Sequence, residues 1–396
     1  MQFFSPHTEN TFRLLRGAAQ LSDRVGGLTH RHYKYPARFS PQFVGAAIEH
    51  FSKPGDLVLD PYMGGGTTLV EAMAMGRQTV GCDLNSLAVF VTKVKTARLS
   101  RDDTKALSSW ALNIVPTLSY YDSVPAALRF AEDTRTKNLN LPRARPIKKL
   151  VSLALASLTR LPSAKSEEFA RCAILNCSQW ALNGRKGAVA LSAFRQRLTS
   201  TVLEMLQGAD QFAEAIKGNP GSLAKPILIH DSAENIGSHG VWKRGALADL
   251  VVTSPPYPGV HMLYHRWQVD GRKETPAPYW IANKLDGKGP AYYSFGGRFQ
   301  ENHDDYFSTS LRTLCGIRSV MKEGATIIQM IAFSDPRRQL PRYLANMEAA
   351  GFGELRLDSG VRQKRIWRSV PNRTWHATLQ GPTSSAREVV LIHVAD

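Results

Sequence analysis

The sequence predicts an α/β fold in which a mostly parallel sheet of seven strands carries helices on both faces. Three observations lead to this prediction. Short apolar runs alternate with helical runs over most of the 396 residues. Two of these runs end in loops with the composition of ligand-binding turns, as expected at the carboxyl ends of parallel strands. A long central stretch has helical periodicity alone, which indicates a helical segment inserted into the sheet domain.

The strand-like runs are spaced as a doubly wound sheet requires. Helical runs alternate with many of them, including residues 40–51, 304–321 and 340–350, the last of which is ended by Gly351 as its C-cap. The seven strand-like runs are residues 57–60, 79–83, 226–230, 250–253, 326–332, 354–357 and 388–394.

The helical segment, residues 102–220, divides the sheet domain into residues 1–101 and 221–396. It is rich in arginine and lysine, so it either lies along a polyanionic partner and contributes to target recognition or merely exposes solvated helix faces. Residues 261–302 lack periodicity and are rich in Gly, Pro, Tyr and Trp, which predicts a loop that orders over the substrate. The helical runs of the inserted segment are 148–161, 166–182 and 191–216.

The first strand leads into a glycine turn, residues 61–68, and then into a helix that ends at Gly76. Glycines let backbone approach a ligand closely, and the free N–H groups at a helix start favour a negative group. The next strand ends in Asp83, about 20 residues beyond the glycines, where an acid usually binds ribose hydroxyls. Together these features predict a nucleoside-binding site, although three glycines alone would also suit a tight structural turn.

A second loop, Thr253-Ser254-Pro255-Pro256-Tyr257, follows an apolar run and has the composition of a nucleobase site. The two prolines fix the backbone, so that the Ser254 hydroxyl and the Pro255 carbonyl are presented as hydrogen-bond acceptors. The ring of Tyr257 offers a stacking face. These groups are suited to a flipped-out base held by its exocyclic amino group. The alternative is a proline-rich strand exit without a ligand.

Composition favours a polyanionic partner. The chain has 50 lysines and arginines against 33 acidic residues, a net charge of +17, and each cation placed on a phosphate releases counterions. The four cysteines show neither paired C-x-x-C spacing nor nearby histidine ligands, so we expect reduced thiols and no metal. The amino terminus lacks a signal sequence and no apolar window reaches membrane length, so we expect a cytoplasmic protein.

These blocks resemble the S-adenosyl-L-methionine-dependent DNA amino-methyltransferases, in particular those that methylate the 4-amino group of cytosine. The glycine turn and residues 253–257 are similar to the cofactor loop and the catalytic block of that family. Residues 35–43 resemble the segment that closes over the methionine end of the cofactor, and residues 230–233 the acidic turn at its adenine. Residues 365–373 resemble a late basic segment. The resemblance implies a Rossmann-like class I methyltransferase fold. It also implies that the protein acts on double-stranded DNA with a flipped target base.

The resemblance also implies individual roles. Ser254, Pro255, Pro256 and Tyr257 would be catalytic. DNA contacts would come from Arg266, Arg365, Arg368 and Arg373. The cofactor S-adenosyl-L-methionine would be bound by Arg38, Phe39, Asp60, Tyr62, Gly64, Gly66, Thr67, Thr68, Asp83, Asp231 and Thr253.

The sequence departs from the family pattern in the order of its blocks along the chain and in one aromatic residue. The cofactor blocks precede the catalytic block here, whereas many cytosine-amino enzymes have the reverse order, so the subclass stays open. Tyr62 replaces the commoner Phe, which keeps the aromatic face and adds a hydroxyl.

The resulting hypothesis is a site-specific DNA methyltransferase that makes N4-methylcytosine in restriction-modification or phage defence, with a cognate endonuclease as a further partner. Adenine-N6 methylation is the nearest alternative, and an RNA target is a third. An inactive subunit that binds nucleic acid on the same cofactor fold is an alternative of another class. No cysteine follows a proline, which argues against the nucleophile that carbon-5 cytosine methyltransferases use.

Overall fold

A computed structural model describes residues 8–21, 26–35, 39–124, 133–185, 187–219, 225–242, 245–258, 266–271, 273–285, 295, 304–355, 365–369 and 387–396. The strands are β1 Leu57–Asp60, β2 Gln78–Cys82, β3 Ile227–Ile229, β4 Ala248–Thr253, β5 Trp267–Val269, β6 Lys273–Thr275, β7 Met321–Ala332, β8 Phe352–Glu354, β9 Ile366–Ser369 and β10 Arg387–Ala395. The helices are α1 Thr8–Gln20, α2 Pro41–Phe51, α3 Thr67–Ala74, α4 Ser86–Lys95, α5 Arg101–Ser109, α6 Arg145–Ser157, α7 Ala164–Leu182, α8 Leu191–Lys217, α9 Ala277–Ala282, α10 Asp304–Arg318 and α11 Pro336–Ala349.

The predicted α/β fold is confirmed by one large, mostly parallel sheet. Its strands follow the order β3-β2-β1-β4-β7-β10-β8, and β9 pairs with β10 outside this path. Strands β3, β2, β1, β4 and β7 are parallel neighbours, whereas β10 is antiparallel to β7, β8 and β9. The strand order reverses between β1 and β4, and such a reversal opens a crevice at the carboxyl ends of the strands.

Period-two alternation in the central strands gives the sheet two apolar faces. Val58, Leu250 and Val252 pack with the buried side of α2. Leu59 and Val251, which point the other way, pack with α10 and α11. Helices therefore cover both faces of the sheet, as the sequence predicted.

All seven predicted strands are present, six of them with shifted bounds. The largest shift is in β7, which begins at Met321 rather than at residue 326. Lys322, Glu323 and Gly324 interrupt the apolar pattern there, but Met321 still pairs with Ala248 of β4 across a register shift. The structure adds β9 and the β5–β6 hairpin, which the sequence did not predict.

Helix α11 begins before the predicted residue 340. Asp335 caps it by accepting hydrogen bonds from the backbone of its first turn, and Pro336 follows at the first helical position. Pro341 lies inside this helix.

The central helices α6, α7 and α8 lie where the sequence predicted them. Their buried faces, which include Leu150, Phe169 and Leu198, form a core of their own together with Phe90 of α4 and Tyr279 of α9. We propose that residues 102–220 are an insertion in the sheet domain, because β3 pairs with β2 in the sheet although the whole segment separates them in sequence.

Candidate active site

One cavity lies where the strand order reverses, and it is lined by the loops that follow β1, β2, β3 and β4. Eleven predicted site residues line it: Phe39, Asp60, Tyr62, Gly64, Thr67, Asp83, Asp231, Ser254, Pro255, Pro256 and Tyr257. The loops come together because the carboxyl ends of parallel strands share one edge of the sheet. The candidate cofactor residues and the candidate catalytic residues are therefore neighbours in space.

Two side chains of α4 hold the glycine loop that follows β1 by hydrogen bonds. Lys95 is fully buried, and its Nζ donates to the Gly65 carbonyl oxygen at 2.7 Å. The Thr92 Oγ1 donates to the Gly64 carbonyl oxygen at 3.2 Å. Gly66 has a φ of +74°, and a Cβ added there would lie 2.6 Å from Thr92 Oγ1. Both the left-handed backbone conformation and the lack of space therefore exclude a side chain at this position.

Asp83 joins the glycine loop to the loop after β2. Its carboxylate accepts one hydrogen bond from the Gly64 backbone N–H at 2.9 Å and another from the Asn85 backbone N–H at 2.8 Å. The Asn85 side chain in turn donates to the Tyr35 hydroxyl at 3.2 Å. Burial raises the pKa of Asp83 to about 6. The carboxylate is thus fixed at the cavity wall with acceptor capacity left over for hydroxyl donors.

Asp60 and Thr253 form a buried link between β1 and β4. The Thr253 hydroxyl donates to Asp60 Oδ1 at 2.6 Å, and the Tyr62 backbone N–H donates to the same oxygen at 3.2 Å. Burial raises the pKa of Asp60 to about 6, against the opposing effect of the Thr253 hydrogen bond. Thr68 adds a second link, from its hydroxyl to the Val252 carbonyl oxygen. These contacts hold the glycine loop and the Ser254 loop in fixed relative positions.

Asp231 follows β3 and carries a stabilised negative charge. It accepts hydrogen bonds from the Ser232 backbone N–H at 2.6 Å and from the Asn235 side chain at 3.1 Å, while His239 Nε2 lies 3.0 Å from its second oxygen. Although burial opposes ionisation, these partners hold the pKa of Asp231 below its usual range. The cavity therefore has a fixed anion at the end of β3.

In the Ser254 loop, hydrogen bonds direct protons away from the cavity. Ser254 Oγ donates to the Met330 carbonyl oxygen at 3.0 Å and lies 3.1 Å from the Tyr257 hydroxyl. The Tyr257 hydroxyl donates to Glu388 Oε1 at 2.7 Å. When both hydroxyl protons are used in this way, the lone pairs of Ser254 Oγ are available to accept a hydrogen bond from a ligand.

Glu388 anchors this loop through a buried ion pair. Its second oxygen accepts from Arg368 Nε at 2.7 Å, and the two side chains are only 7% and 9% exposed. Tyr306 fixes the other side of the loop by donating to the Pro256 carbonyl oxygen at 2.7 Å. Within the described part of the chain, no donor reaches the Pro255 carbonyl oxygen, which leaves it as a second acceptor beside Ser254.

The remaining predicted residues have varied positions. Phe39 packs on Phe43 with 5.7 Å between ring centroids. Gly66, Thr68 and Thr253 are buried behind the cavity and do not line it. Arg365 is bound to Glu354 at 2.7 Å, Arg368 to Glu388, and Arg266 lies 3.9 Å from Glu274. Arg38 and Arg373, together with most of the predicted loop 261–302, lie outside the described residues.

Several residues of the site were not identified from the sequence. Asn85 could have been found, because it directly follows the acid of β2 and caps α4. The sequence signal at Glu388 is weaker, because an acid at the start of an apolar strand is typical of a solvent-exposed strand end. Tyr306, Phe295 and His239 gave none, because their contacts with the site depend on the tertiary fold.

We expect Glu388→Gln to lower the free energy of unfolding by about 3 kcal/mol, because it leaves the Arg368 guanidinium buried without a carboxylate. Urea denaturation followed by fluorescence would measure the loss. Glu354→Gln is the matched control, since its pair with Arg365 is more exposed, at 16% and 28%, and should contribute below about 1 kcal/mol. Equal losses in the two variants would contradict the anchoring role.

Among the residues that the structure describes, no three His, Cys, Asp or Glu side chains are grouped in a way that could hold a metal ion. Within the same residues, no helix combines the length and apolarity needed to cross a membrane.

Comparison with known proteins finds similarity in short segments. The Type II methyltransferase M.MvaI of Kocuria varians is 44% identical over 79 residues, which are 19% of this chain and 17% of that protein. The Type II methyltransferase M.MjaII of Methanocaldococcus jannaschii is 36% identical over 66 residues, which are 17% of this chain and 12% of that protein. The chain thus matches less than a fifth of the length of either relative.

A solved structure and a family profile complete the comparison. The rRNA methyltransferase aviRa from Streptomyces viridochromogenes aligns over 92% of this chain and 89% of its own, at 11% identity and a TM-score of 0.36, which is too low to add to the topology described above. Residues 10–93 match the profile of a family described as DNA methylase. The similarity to that family therefore covers the segment that contains the glycine loop and Asp83.

Proposed function

We propose that this protein transfers a methyl group from S-adenosyl-L-methionine to the exocyclic 4-amino group of a cytosine flipped out of double-stranded DNA. The observation that carries the proposal is the position of Ser254. Its hydroxyl has acceptor capacity and lines the same cavity as the glycine loop and Asp83.

The cofactor side of the cavity has the donors and acceptors that a sulfonium nucleoside requires. Asp83 offers carboxylate oxygens for the ribose hydroxyls and is held by two backbone N–H groups. Asp231 lines the cavity and would contact the adenine ring, and Tyr35, Phe39 and Tyr62 would supply aromatic surface. S-adenosyl-L-methionine would supply an electrophilic methyl group when bound.

The base side suits an exocyclic amine, whose nitrogen lone pair is delocalised into the ring and is a poor nucleophile. Ser254 Oγ and the Pro255 carbonyl would accept the two amine hydrogens and orient the nitrogen, and their partial negative charge would stabilise the positive charge that develops there. Tyr257 would stack on the base and retain it outside the duplex. Ser254 Oγ and the Pro255 carbonyl would hold the nitrogen toward the methyl group that the cofactor supplies, and one amine proton would be released to solvent after the transfer.

The identity of the base rests on one residue. In the family that this chain resembles, a serine at the first position of the catalytic block is more frequent in enzymes that act on cytosine than in those that act on adenine. The net charge of +17 supports a polyanionic substrate, and a restriction-modification or phage-defence setting is part of the proposal.

The test is to express the chain in cells without other DNA methyltransferases, digest their DNA to nucleosides and identify these by mass. The expected product is N4-methyldeoxycytidine, absent when Ser254→Ala is expressed. N6-methyldeoxyadenosine in its place would show that the target base is adenine. Methylated nucleosides in RNA alone would show an RNA enzyme. Cofactor binding without any product would support the inactive subunit.

A further inference from the structure

A groove on the helical segment carries a concentration of positive charge outside the candidate active site. Its walls are α7, α8 and the segment 31–34, which leads into the cavity at Tyr35. We propose that this groove binds phosphate groups of the DNA backbone and holds the duplex beside the active site. The identity of the polymer rests on the proposed function, whereas the phosphate chemistry rests on the groove itself.

Among the described residues, the positive charges that line the groove outnumber the negative ones. Arg31, Lys34, Arg185 and Arg197 line it against one carboxylate, that of Glu204. None of these four cations is within salt-bridge distance of a carboxylate among the described residues, whereas arginines elsewhere, such as those at β9, are paired. Like charges brought together repel one another, so an anion placed among them is stabilised.

Two hydrogen-bonding groups in α8 also lack a partner among the described residues. Thr201 is only 3% exposed, and its hydroxyl makes no hydrogen bond there. Arg197 lies one turn earlier on the same helix, and its buried Nε is likewise without a partner. A buried polar group left unsatisfied costs about 1–3 kcal/mol. Phosphate oxygens are acceptors that match both groups, and a guanidinium can bind a phosphate with two parallel hydrogen bonds.

The groove is held in shape by contacts that do not use its cations. Asn176 Nδ2 donates to the Arg31 and His32 carbonyl oxygens at 3.0 and 3.1 Å, and Gln179 Nε2 donates to the Lys34 carbonyl oxygen at 3.1 Å. Helix α7 therefore fixes the backbone of segment 31–34 while the charged side chains face the groove. A site that is preorganised in this way loses little entropy on binding.

The position of the groove fits a duplex whose base enters the cavity. Tyr35 follows Lys34 directly, lines the cavity and lies against the glycine loop, where its Cβ is 2.9 Å from the place that a Gly65 Cβ would occupy. The groove and the cavity are therefore joined by one short, fixed segment. Backbone contacts set the position of a protein on a duplex, which is the role that we assign to the groove.

The test measures binding of a fluorescent DNA duplex, without cofactor, as a function of salt concentration. For Lys34→Ala/Arg185→Ala, the slope of log K against log salt should become shallower by about 1.8, since each lost phosphate contact contributes about 0.9. The matched control is Lys53→Ala/Lys225→Ala. These lysines are exposed and precede β1 and β3, at the opposite edge of the sheet, so their removal should leave the slope unchanged.

A second variant separates a ligand contact from a structural one. Thr201→Val keeps the side-chain shape and removes a hydroxyl that has no partner among the described residues. We expect an unchanged or raised Tm together with weaker duplex binding, whereas a structural hydroxyl would lower the Tm and leave duplex binding alone.

The outcomes distinguish this proposal from the proposed function. Equal slope changes in the groove and control variants, no change in either, or no binding of the duplex by the wild type would overturn the groove assignment even if N4-methylcytosine is formed. A groove-specific slope change without any methylated base would support the groove and refute the reaction.

Discussion

Replacing Ser254 by alanine is expected to lower kcat for DNA methylation by about 10²–10³-fold, the usual effect of removing one group that stabilises a developing charge. The hydroxyl is bound to the Met330 carbonyl and lies beside Tyr257, so its loss removes an acceptor without opening the core. Binding of S-adenosyl-L-methionine, measured by calorimetry, should change little. Single-turnover kinetics with a methyl-labelled cofactor would measure the chemical step.

Two substitutions at Tyr257 separate the effect of its hydroxyl from the effect of its ring. Tyr257→Phe keeps the stacking ring and removes the hydroxyl that donates to Glu388, so duplex affinity should be retained while kcat falls moderately. Tyr257→Ala also removes the stacking face and should lose duplex affinity as well, by about 1–3 kcal/mol. Wild-type methylation in Ser254→Ala and Tyr257→Ala would remove this loop from the reaction.

The sequence predicted the parts of the site that are local in the chain. Glycines followed by a helix start, and acids or prolines that directly follow apolar runs, are visible in a few residues, and strand ends of a parallel sheet meet at one edge. The loops with Asp60, Asp83, Asp231 and Ser254 were therefore found, and the sheet order brings them to one cavity.

Contacts between distant segments were not predictable in this way. Tyr257 and Glu388 are 131 positions apart, and the bond between them exists because β10 pairs beside β7. Thr253 was assigned to the cofactor by resemblance, whereas its hydroxyl is bound to Asp60 behind the cavity. The helices of the helical segment were predicted correctly from the sequence. Which of its cations share a groove was not predictable, because that depends on the packing of α7 and α8 against residues 31–34.

Replacing Asp83 by alanine is expected to weaken the binding of S-adenosyl-L-methionine by about 2–3 kcal/mol, roughly 30- to 150-fold, because hydrogen bonds to a charged acceptor are lost. The glycine loop also loses the carboxylate that accepts from the Gly64 N–H. Calorimetric titration of the cofactor would measure the change. Glu49→Ala, a removal of charge on the outer side of α2, should leave the affinity unchanged.

The same carboxyl predicts how cofactor binding depends on pH. Burial raises the pKa of Asp83 to about 6, so its acceptor form is lost as the pH falls through 6, and the affinity for the cofactor should fall with it. The contribution of Asp83 to the free energy of unfolding depends on pH in the opposite direction. The folded state holds this proton more tightly than the unfolded chain, so the contribution of Asp83 to stability is present at low pH and is lost as pH rises from about 4 to 6.

Weaker binding below pH 6 would therefore not reflect destabilisation by Asp83. Asp60, whose pKa is also raised to about 6, titrates in the same range but is bound to Thr253. Asp60→Asn should keep most of the pH dependence, whereas Asp83→Asn should bind weakly and with a flatter profile. An Asp83→Asn profile as steep as that of the wild type would place the titrating group elsewhere and would remove Asp83 from the ribose site.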